Sequence, residues 1–394
     1  MAVAVSKRLS GLTGYPFAEI DAKVAELRAK GIDIIDFGVG DPTEPTPEIV
    51  RNALKQGADR HASGGYPSYV GSQGYRKAIA AWTKRRFNVS LDPETEISAS
   101  IGAKESVFNF PEAFVNPGDV VICPNPGYPP YSRGARFAEG EIYFVNLCKK
   151  NGFLPDLDSI PLDVARRAKI MWINYPNNPT GAVCDADFFR RAIEFGKKHN
   201  VIIASDEAYT ENYYGAPPHS ILEFAREGVV AFQSLSKRSC MTGYRVGWVA
   251  GDRDIIAAFK KLKTNIDSGT PTFIQEAAIA ALSDEGHVEW LRALYKEKRD
   301  IVVDAFKRAG LSECRPAATL YIWQEVPRNM TSVDFAKLLL DPAIAIVATP
   351  GNWIGDETAE GNPGEGFVRL AMVPTVDQCK EAADRIARRL PALI

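Results

Sequence analysis

Paired cysteines, clustered histidines, basic blocks and long apolar runs are all missing from this sequence, and each absence removes a class of protein. The six cysteines, at 123, 148, 184, 240, 314 and 379, stand singly with no C-x-x-C, a pattern of reduced thiols rather than of a disulfide framework or a zinc site. The four histidines, His61, His199, His219 and His287, never fall at metal-ligand spacing, so neither a metal centre nor histidine-centred catalysis is expected. Lys and Arg number 47 against 49 Asp and Glu, a net charge of -2. With no dense basic segment, neither nucleic acid nor an anionic membrane is the expected partner. No apolar run approaches the roughly 18 to 20 residues of a membrane helix, and "MAVAVSKRLSGLTGY" has no signal-peptide core or cleavage site. The expectation is a cytoplasmic protein acting on a small molecule.

What is present is an ordinary globular composition, 45% hydrophobic and 24% charged over 394 residues, enough for one large core and a smaller second one. Between about 95 and 250, short apolar runs alternate with helical patterns: "DVVIC" (119–123), "EIYFVNL" (141–147), "AKIMWIN" (168–174), "VIIAS" (201–205) and "VVAFQSL" (229–235). That alternation predicts an α/β fold with a parallel sheet covered by helices on both faces. One helix is predicted to start at Asp185 or Asp187 and end in "KKHN", another to open with Thr46 as N-cap and Pro47 at its first position. After 284 the texture changes to a long amphipathic stretch (287–307), strand-like "TLYIWQEV", "AIAIVAT" and "GFVRLAMV", and a basic terminal helix. The division this suggests is a large domain over 45–283 and a smaller α+β domain from 1–44 and 284–394.

Four of the strand candidates run straight into polar or Gly/Pro-rich residues: "CPNPGYPPY", "NYPNNPTG", "SDEAY" and "SLSK". Open parallel sheets bind ligands outside the carboxyl ends of their strands, so these stretches form one candidate site. In "SLSKRSCMTGYR" Lys237 can be read three ways. It can be a solvated strand cap. It can belong to S-x-x-K of the serine-nucleophile enzymes, although no S-D-N partner exists and Lys263-Thr264-Asn265 only approaches K-T-G. Or it can bind pyridoxal 5′-phosphate covalently, which demands a carboxylate for the ring nitrogen, donors for the 3′-oxygen and an anion cradle. Asp206 supplies the first. Asn178 and Tyr209 supply the second. Ser234, Ser236 and Arg245 supply the third, with Gly102 of "SIGAKESVFNF" opening a helix whose free N–H groups bind anions. Each piece alone also fits a cap or a turn; it is their joint order that favours the cofactor.

With "NNPTG", "SDEAY" and "SLSKRSCMTGYR" in this order and spacing, the chain resembles the class I/II aminotransferases of fold type I over nearly its whole length. The resemblance implies a large domain with a mostly parallel seven-stranded sheet plus a smaller α+β domain. It implies Lys237 as Schiff-base lysine and proton carrier, Asp206 on the pyridine nitrogen, and Asn178 and Tyr209 on the 3′-oxygen. Tyr128 would stack on the ring. Ala103, Lys104, Ser234, Ser236 and Arg245 would hold the phosphate, Tyr69 would reach in from a second subunit of a homodimer, and Arg369 would clamp the substrate α-carboxylate.

"TGYPFAEI" with Tyr15, and "DFGVGDPTEPTPE" with Gly40, resemble the LL-diaminopimelate aminotransferases in particular, where matching residues close over the substrate together with Lys104, Tyr128 and Asn178. In "NIDSGTPTFIQ", Thr272 stands where that subgroup has a partner-subunit asparagine, and no arginine is present to clamp a side-chain carboxylate. The expected reaction moves an amino group from an amino acid, with LL-diaminopimelate as leading substrate, to a 2-oxo acid such as 2-oxoglutarate. A broad alanine, aspartate or aromatic aminotransferase and a same-fold lyase remain alternatives. A non-catalytic cofactor-binding regulator would carry a basic DNA-binding module, and none precedes residue 15.

Overall fold

The computed structural model describes residues 3–12 and 18–394. At its centre is a seven-stranded sheet made of β2 (Ile97–Ser100), β3 (Val120–Asn125), β4 (Glu141–Asn146), β5 (Ala168–Asn174), β6 (Ile202–Asp206), β7 (Val229–Ser234) and β8 (Gly247–Gly251), in the order β2-β8-β7-β6-β5-β3-β4. Neighbours from β4 to β7 pair in parallel. β8 is antiparallel to both β7 and β2, so it alone runs against the rest.

Both faces of this sheet are covered, and the apolar runs read from the sequence have a geometric reason. Successive side chains of a strand point to opposite faces. Val120, Ile122, Met171, Ile173, Ile203, Val229 and Ala231 therefore join one core with Trp82 and Trp248, while Val121, Cys123, Ile170, Trp172, Ala204, Val230 and Phe232 join the other with Phe110 and Phe259. A strand buried on both sides is apolar along most of its length, which is why β3, β5, β6 and β7 show no regular polar alternation.

A third core gathers Leu291, Tyr295, Val302 and Phe306 of the helix Gly286–Arg308, Ile322 of β9 (Tyr321–Glu325), Val368 and Leu370 of β12 (Phe367–Ala371), and Cys379 and Ile386 of the helix Val376–Arg389. Phe37 belongs to it as well. β12 pairs antiparallel with β9 and with β11 (Thr349–Pro350), while β1 (Ile35–Asp36) pairs in parallel with β10 (Ile346–Val347). The N-terminal segment is thereby stitched onto the C-terminal part of the chain. All six cysteines carry free thiols, and no helix among the described residues is long and apolar enough to cross a membrane.

The sequence reading errs at one helix start. Helix Glu48–Arg60 begins with Pro47 as its cap and no side-chain cap bond. The Thr46 hydroxyl instead donates to the Cys240 carbonyl at 2.6 Å, three residues beyond Lys237. Tertiary contact takes the hydroxyl that a local reading assigns to the helix. Asp185 does cap Ala186–His199, accepting from Phe188 N–H at 2.8 Å.

The loop between β1 and Pro47 is fastened by one buried ion pair. Glu44 accepts from Lys298 Nζ and from the Tyr295 hydroxyl at 3.0 Å, with the lysine side chain 1% and the glutamate 9% exposed. Removing one partner strands a charge in a dry interior, at a cost of about 3 to 5 kcal/mol. Glu44→Ala is expected to lower the unfolding free energy in urea by about 3 kcal/mol; a loss below about 1 kcal/mol contradicts the fastening role.

Candidate active site

The loops after β3, β5, β6 and β7 converge with Gly40, β9 and β12 on a cavity of about 570 Å³. Each loop brings one kind of chemistry. After β3 comes Tyr128, in T-shaped contact with Tyr131, whose ring stacks on Trp172 at 4.9 Å. After β5, Asn174 fixes the turn, its amide donating to Asp206 O at 2.9 Å while its oxygen accepts from Asn178 N–H at 2.9 Å. The Asn178 side chain is thereby placed on the cavity wall, its Oδ1 facing Arg369 Nη1 at 3.2 Å and its amide hydrogens left to donate.

At the end of β6 the pleat sends two adjacent acids opposite ways. Glu207, fully buried, accepts from Ser205 Oγ, Ile221 N–H and Gln233 Nε2, and burial pushes its carboxyl up to about 7. Asp206 faces the cavity. It accepts from the Tyr131 hydroxyl at 2.6 Å and Ala208 N–H at 3.2 Å, and it has no ion-pair partner among the described residues. Burial raises its pKa and the two hydrogen bonds oppose the rise.

Past β7, Ser234 caps the single turn Leu235–Arg238, its Oγ accepting from Ser236 N–H at 3.1 Å. Lys237 lies on that turn with Nζ donating to the Gly40 carbonyl. Burial, with Asp41 opposing it and Arg369 and Arg245 assisting, pushes the ammonium down to about 8. Gly40 has a steric reason: a Cβ there collides with the Tyr321 hydroxyl. At the other end of the cavity, Arg245 sits in the left-handed region (φ 53) and packs against Gly102, whose own φ of 72 and missing side chain open the helix Gly102–Asn109; a Cβ at 102 would lie 2.6 Å from the guanidinium. Arg369 spans the rim from Asn178 to Gly38 O, lies 4.6 Å over the Tyr321 ring, and keeps a buried Nε with no hydrogen-bond partner among the described residues.

Of the residues singled out from the sequence, Tyr15 lies outside the described residues. Tyr69 is 42% exposed and stands away from its own chain's cavity, as does Thr272 at the start of the helix Thr272–Ser283. Gly102 sits behind the Arg245 guanidinium rather than on the cavity wall, and the other site candidates line the cavity. Among the lining residues that escaped the reading are three with polar side chains that bear on the site, Asp41, Tyr131 and Tyr321. Tyr131 was within reach, one helical turn after Tyr128 in the same "NPGYPPY". Tyr321 was not. It sits in an apolar strand over 110 residues from Tyr209, yet the two hydroxyls lie 3.1 Å apart.

The donor set fits pyridoxal phosphate. An acid that is buried, faces a cavity and lacks a cation is under-compensated unless a protonated ring nitrogen meets it. Ser234, Ser236, Arg245 and the N–H groups of Ala103 and Lys104 offer the hydroxyls, guanidinium and helix start that suit a phosphate.

With this geometry in view, comparison with known proteins decides the family. The pattern described as "Aminotransferase class I and II" matches residues 32–386. The chain belongs to that family. It is a transaminase that depends on pyridoxal 5′-phosphate and exchanges an amino group between an amino acid and a 2-oxo acid. This aminotransferase is 47% identical to the LL-diaminopimelate aminotransferase of Aquifex aeolicus, covering 97% of this chain and 98% of that protein. It is 46% identical to the LL-diaminopimelate aminotransferase of Syntrophobacter fumaroxidans, covering 98% and 99%. Among solved structures, substrate-bound BacF from Bacillus subtilis superimposes with a TM-score of 0.91 at 34% identity, covering 99% of this chain and 98% of that one.

Proposed function

We propose that this aminotransferase takes LL-diaminopimelate as its amino donor and 2-oxoglutarate as its acceptor. The observation that carries the reading is the similarity of 46 and 47% over nearly the whole chain to two enzymes of that name. The cavity supports it. LL-diaminopimelate carries a second ammonium and a second carboxylate, and Asp41 and Lys104, of opposite charge, line the same cavity as the α-carboxylate clamp.

In this reading Arg369 on the cavity wall binds the α-carboxylate, while Asn178 at its edge orients the amino acid. Pyridoxal phosphate, when bound, supplies the carbonyl carbon that accepts the amino group and the ring that stabilises the developing carbanion. Asp206, held by the Tyr131 hydroxyl, would keep the proton on the ring nitrogen. Tyr209 and Asn178 would donate to the ring oxygen, Tyr128 would cover the ring face, and Ala103, Lys104, Ser234, Ser236 and Arg245 would hold the phosphate. Lys237 would take the proton from the substrate α-carbon and hold it on Nζ for return. A lysine near 8 is suited to this, since a sizeable fraction is neutral at physiological pH, whereas an ordinary lysine is almost wholly charged.

The working unit is a homodimer in which Tyr69 completes the partner's phosphate site. The exposure of Tyr66 at 88%, Tyr69 at 42% and Ile266 at 41% supports a covered face there. Residues 45–283 form the large domain, and the described residues before 45 form the small one with 284–394, the two meeting at the cavity.

The test is a set of single half-reactions, read as loss of the cofactor's visible band on mixing with LL-diaminopimelate, alanine, aspartate, glutamate or phenylalanine. LL-diaminopimelate is expected to react at least about tenfold more efficiently than any other, the discrimination that one or two extra polar contacts provide. Equal or faster conversion of alanine or glutamate contradicts the substrate assignment and leaves the transaminase chemistry standing.

A further inference from the structure

Behind Lys237 the next two residues are gripped by the segment that joins two helices. Arg238, 2% exposed, donates through Nη1 to Ala281 O at 2.8 Å and to Ser239 Oγ at 3.0 Å, and through Nη2 to Glu285 at 2.7 Å. Ser239 Oγ lies 2.9 Å from His287 Nε2, and His287 Nδ1 lies 2.6 Å from Asp284 Oδ2. Serine, histidine and aspartate in this order are the parts of a hydrolase relay, but Ser239 is fully buried and stands outside the cavity lining. No substrate reaches it, so the relay cannot serve a nucleophile.

Its position assigns it another task. Residues 281–287 connect the helix Thr272–Ser283, whose Ala277, Ala278 and Leu282 belong to the core of the large sheet, to the helix Gly286–Arg308, whose Leu291 and Tyr295 belong to the third core. We propose that His287 is a positioning residue for Lys237, holding the turn that carries the amine through the chain Ser239–His287–Asp284, which runs from the buried serine to an aspartate at the surface. The inference rests on the reading of Lys237 as the catalytic amine.

The hydrogen bonds specify one arrangement of protons. Asp284 accepts from Nδ1–H, which leaves Nε2 to accept from the Ser239 hydroxyl, while Ser239 Oγ accepts from Arg238. The charged groups facing the imidazole are Asp284 and Glu285 on the connecting segment and Arg238 on the lysine turn, with Arg85 bound to Glu285 behind them. Burial and Arg238 keep the ring below the ordinary histidine value, with Asp284 opposing, so the imidazole is neutral at physiological pH, as this arrangement requires. A neutral imidazole fixed at both nitrogens makes a stiff strut. Without it the Ser239 hydroxyl loses its acceptor and the turn gains freedom to let Lys237 Nζ meet water.

The experiment reads Lys237 itself. Full-length protein freed of cofactor is acetylated with acetic anhydride across pH 6 to 11, and labelling of the Lys237 peptide is quantified by mass spectrometry. Wild type is expected to show a midpoint near 8. Ser239→Ala and His287→Phe should each raise the midpoint by about one unit, which lowers labelling at pH 8 by about fivefold. The double variant should shift no further than either single, because both break the same link. His287→Gln replaces His287→Phe if the latter does not fold. In the holoenzyme the single variants should lower kcat severalfold and leave KM for the amino acid within about twofold. Unmoved midpoints, or shifts that add in the double variant, overturn the inference. Failure of the underlying reading looks different: borohydride reduction of wild-type holoenzyme then leaves no cofactor on Lys237.

Discussion

Lys237→Met is expected to lower kcat by about 10⁴-fold or more, while the cofactor-free protein becomes more stable at pH 7. The first effect follows from removing the only group proposed to move the α-proton, where general base catalysis and the covalent tether are lost together. The second follows from burial. The folded pKa of Lys237 is about 8 against 10.5 for an ordinary lysine. Below pH 8 both folded and unfolded chains are protonated, and the folded one bears the full cost of the buried charge, about 3 kcal/mol from the difference in pKa. Losing the bond to Gly40 O offsets about 1 kcal/mol of that, so Lys237→Met should gain about 2 kcal/mol at pH 7. Between pH 8 and 10.5 the wild-type folded chain releases its proton before the unfolded chain does, so wild type recovers and the gap closes. Denaturant titrations at pH 7 and pH 10.5 check the sign. A variant that loses activity and stability together would mark Lys237 as structural.

Asp206→Asn should also separate activity from stability. The substitution keeps the side-chain shape and a group that can meet the Tyr131 hydroxyl, 2.6 Å from the carboxylate, but removes the negative charge. In a dry site a charge facing a ring cation contributes several kcal/mol, so kcat is expected to fall by about 10³-fold. Stability runs the other way. Burial raises the folded pKa of Asp206 above 3.8, so above that pH the unfolded chain ionises more readily than the folded one and the carboxylate costs stability at pH 7. The cofactor-free variant should therefore be at least as stable as wild type at pH 7, and the difference should shrink as pH falls toward 3.8. A kcat within about tenfold of wild type contradicts the role given to Asp206.

What could be read in advance divides along a physical line. The strands Ala168–Asn174 and Val229–Ser234 were legible because burial on both faces demands unbroken apolar runs, and the site residues were legible because they sit at those strands' ends. β2 and β8 were not. "ISAS" and "GWVAG" are short and rich in small residues, and Gly247 and Gly251 are there because Gln233 O and Val229 O approach too closely for a side chain. Contacts between distant segments left no local mark either. The Thr46 hydroxyl could be predicted as a cap only because nothing nearby in the sequence announces Cys240. Tyr321, Asp41 and the Ser239–His287 contact are products of the assembled fold. Local patterns show which residues can do chemistry; the partners that tune them come from elsewhere in the chain.

The central claim is that Lys237 carries the cofactor. Holoenzyme reduced with borohydride, digested and mapped by mass spectrometry should show the reduced pyridoxyl-phosphate mass on the peptide containing Lys237, and adding LL-diaminopimelate before reduction should erase it. A tag on any other lysine, such as Lys104 at the cavity wall, or a tag on Lys237 that the amino acid does not remove, would contradict the account.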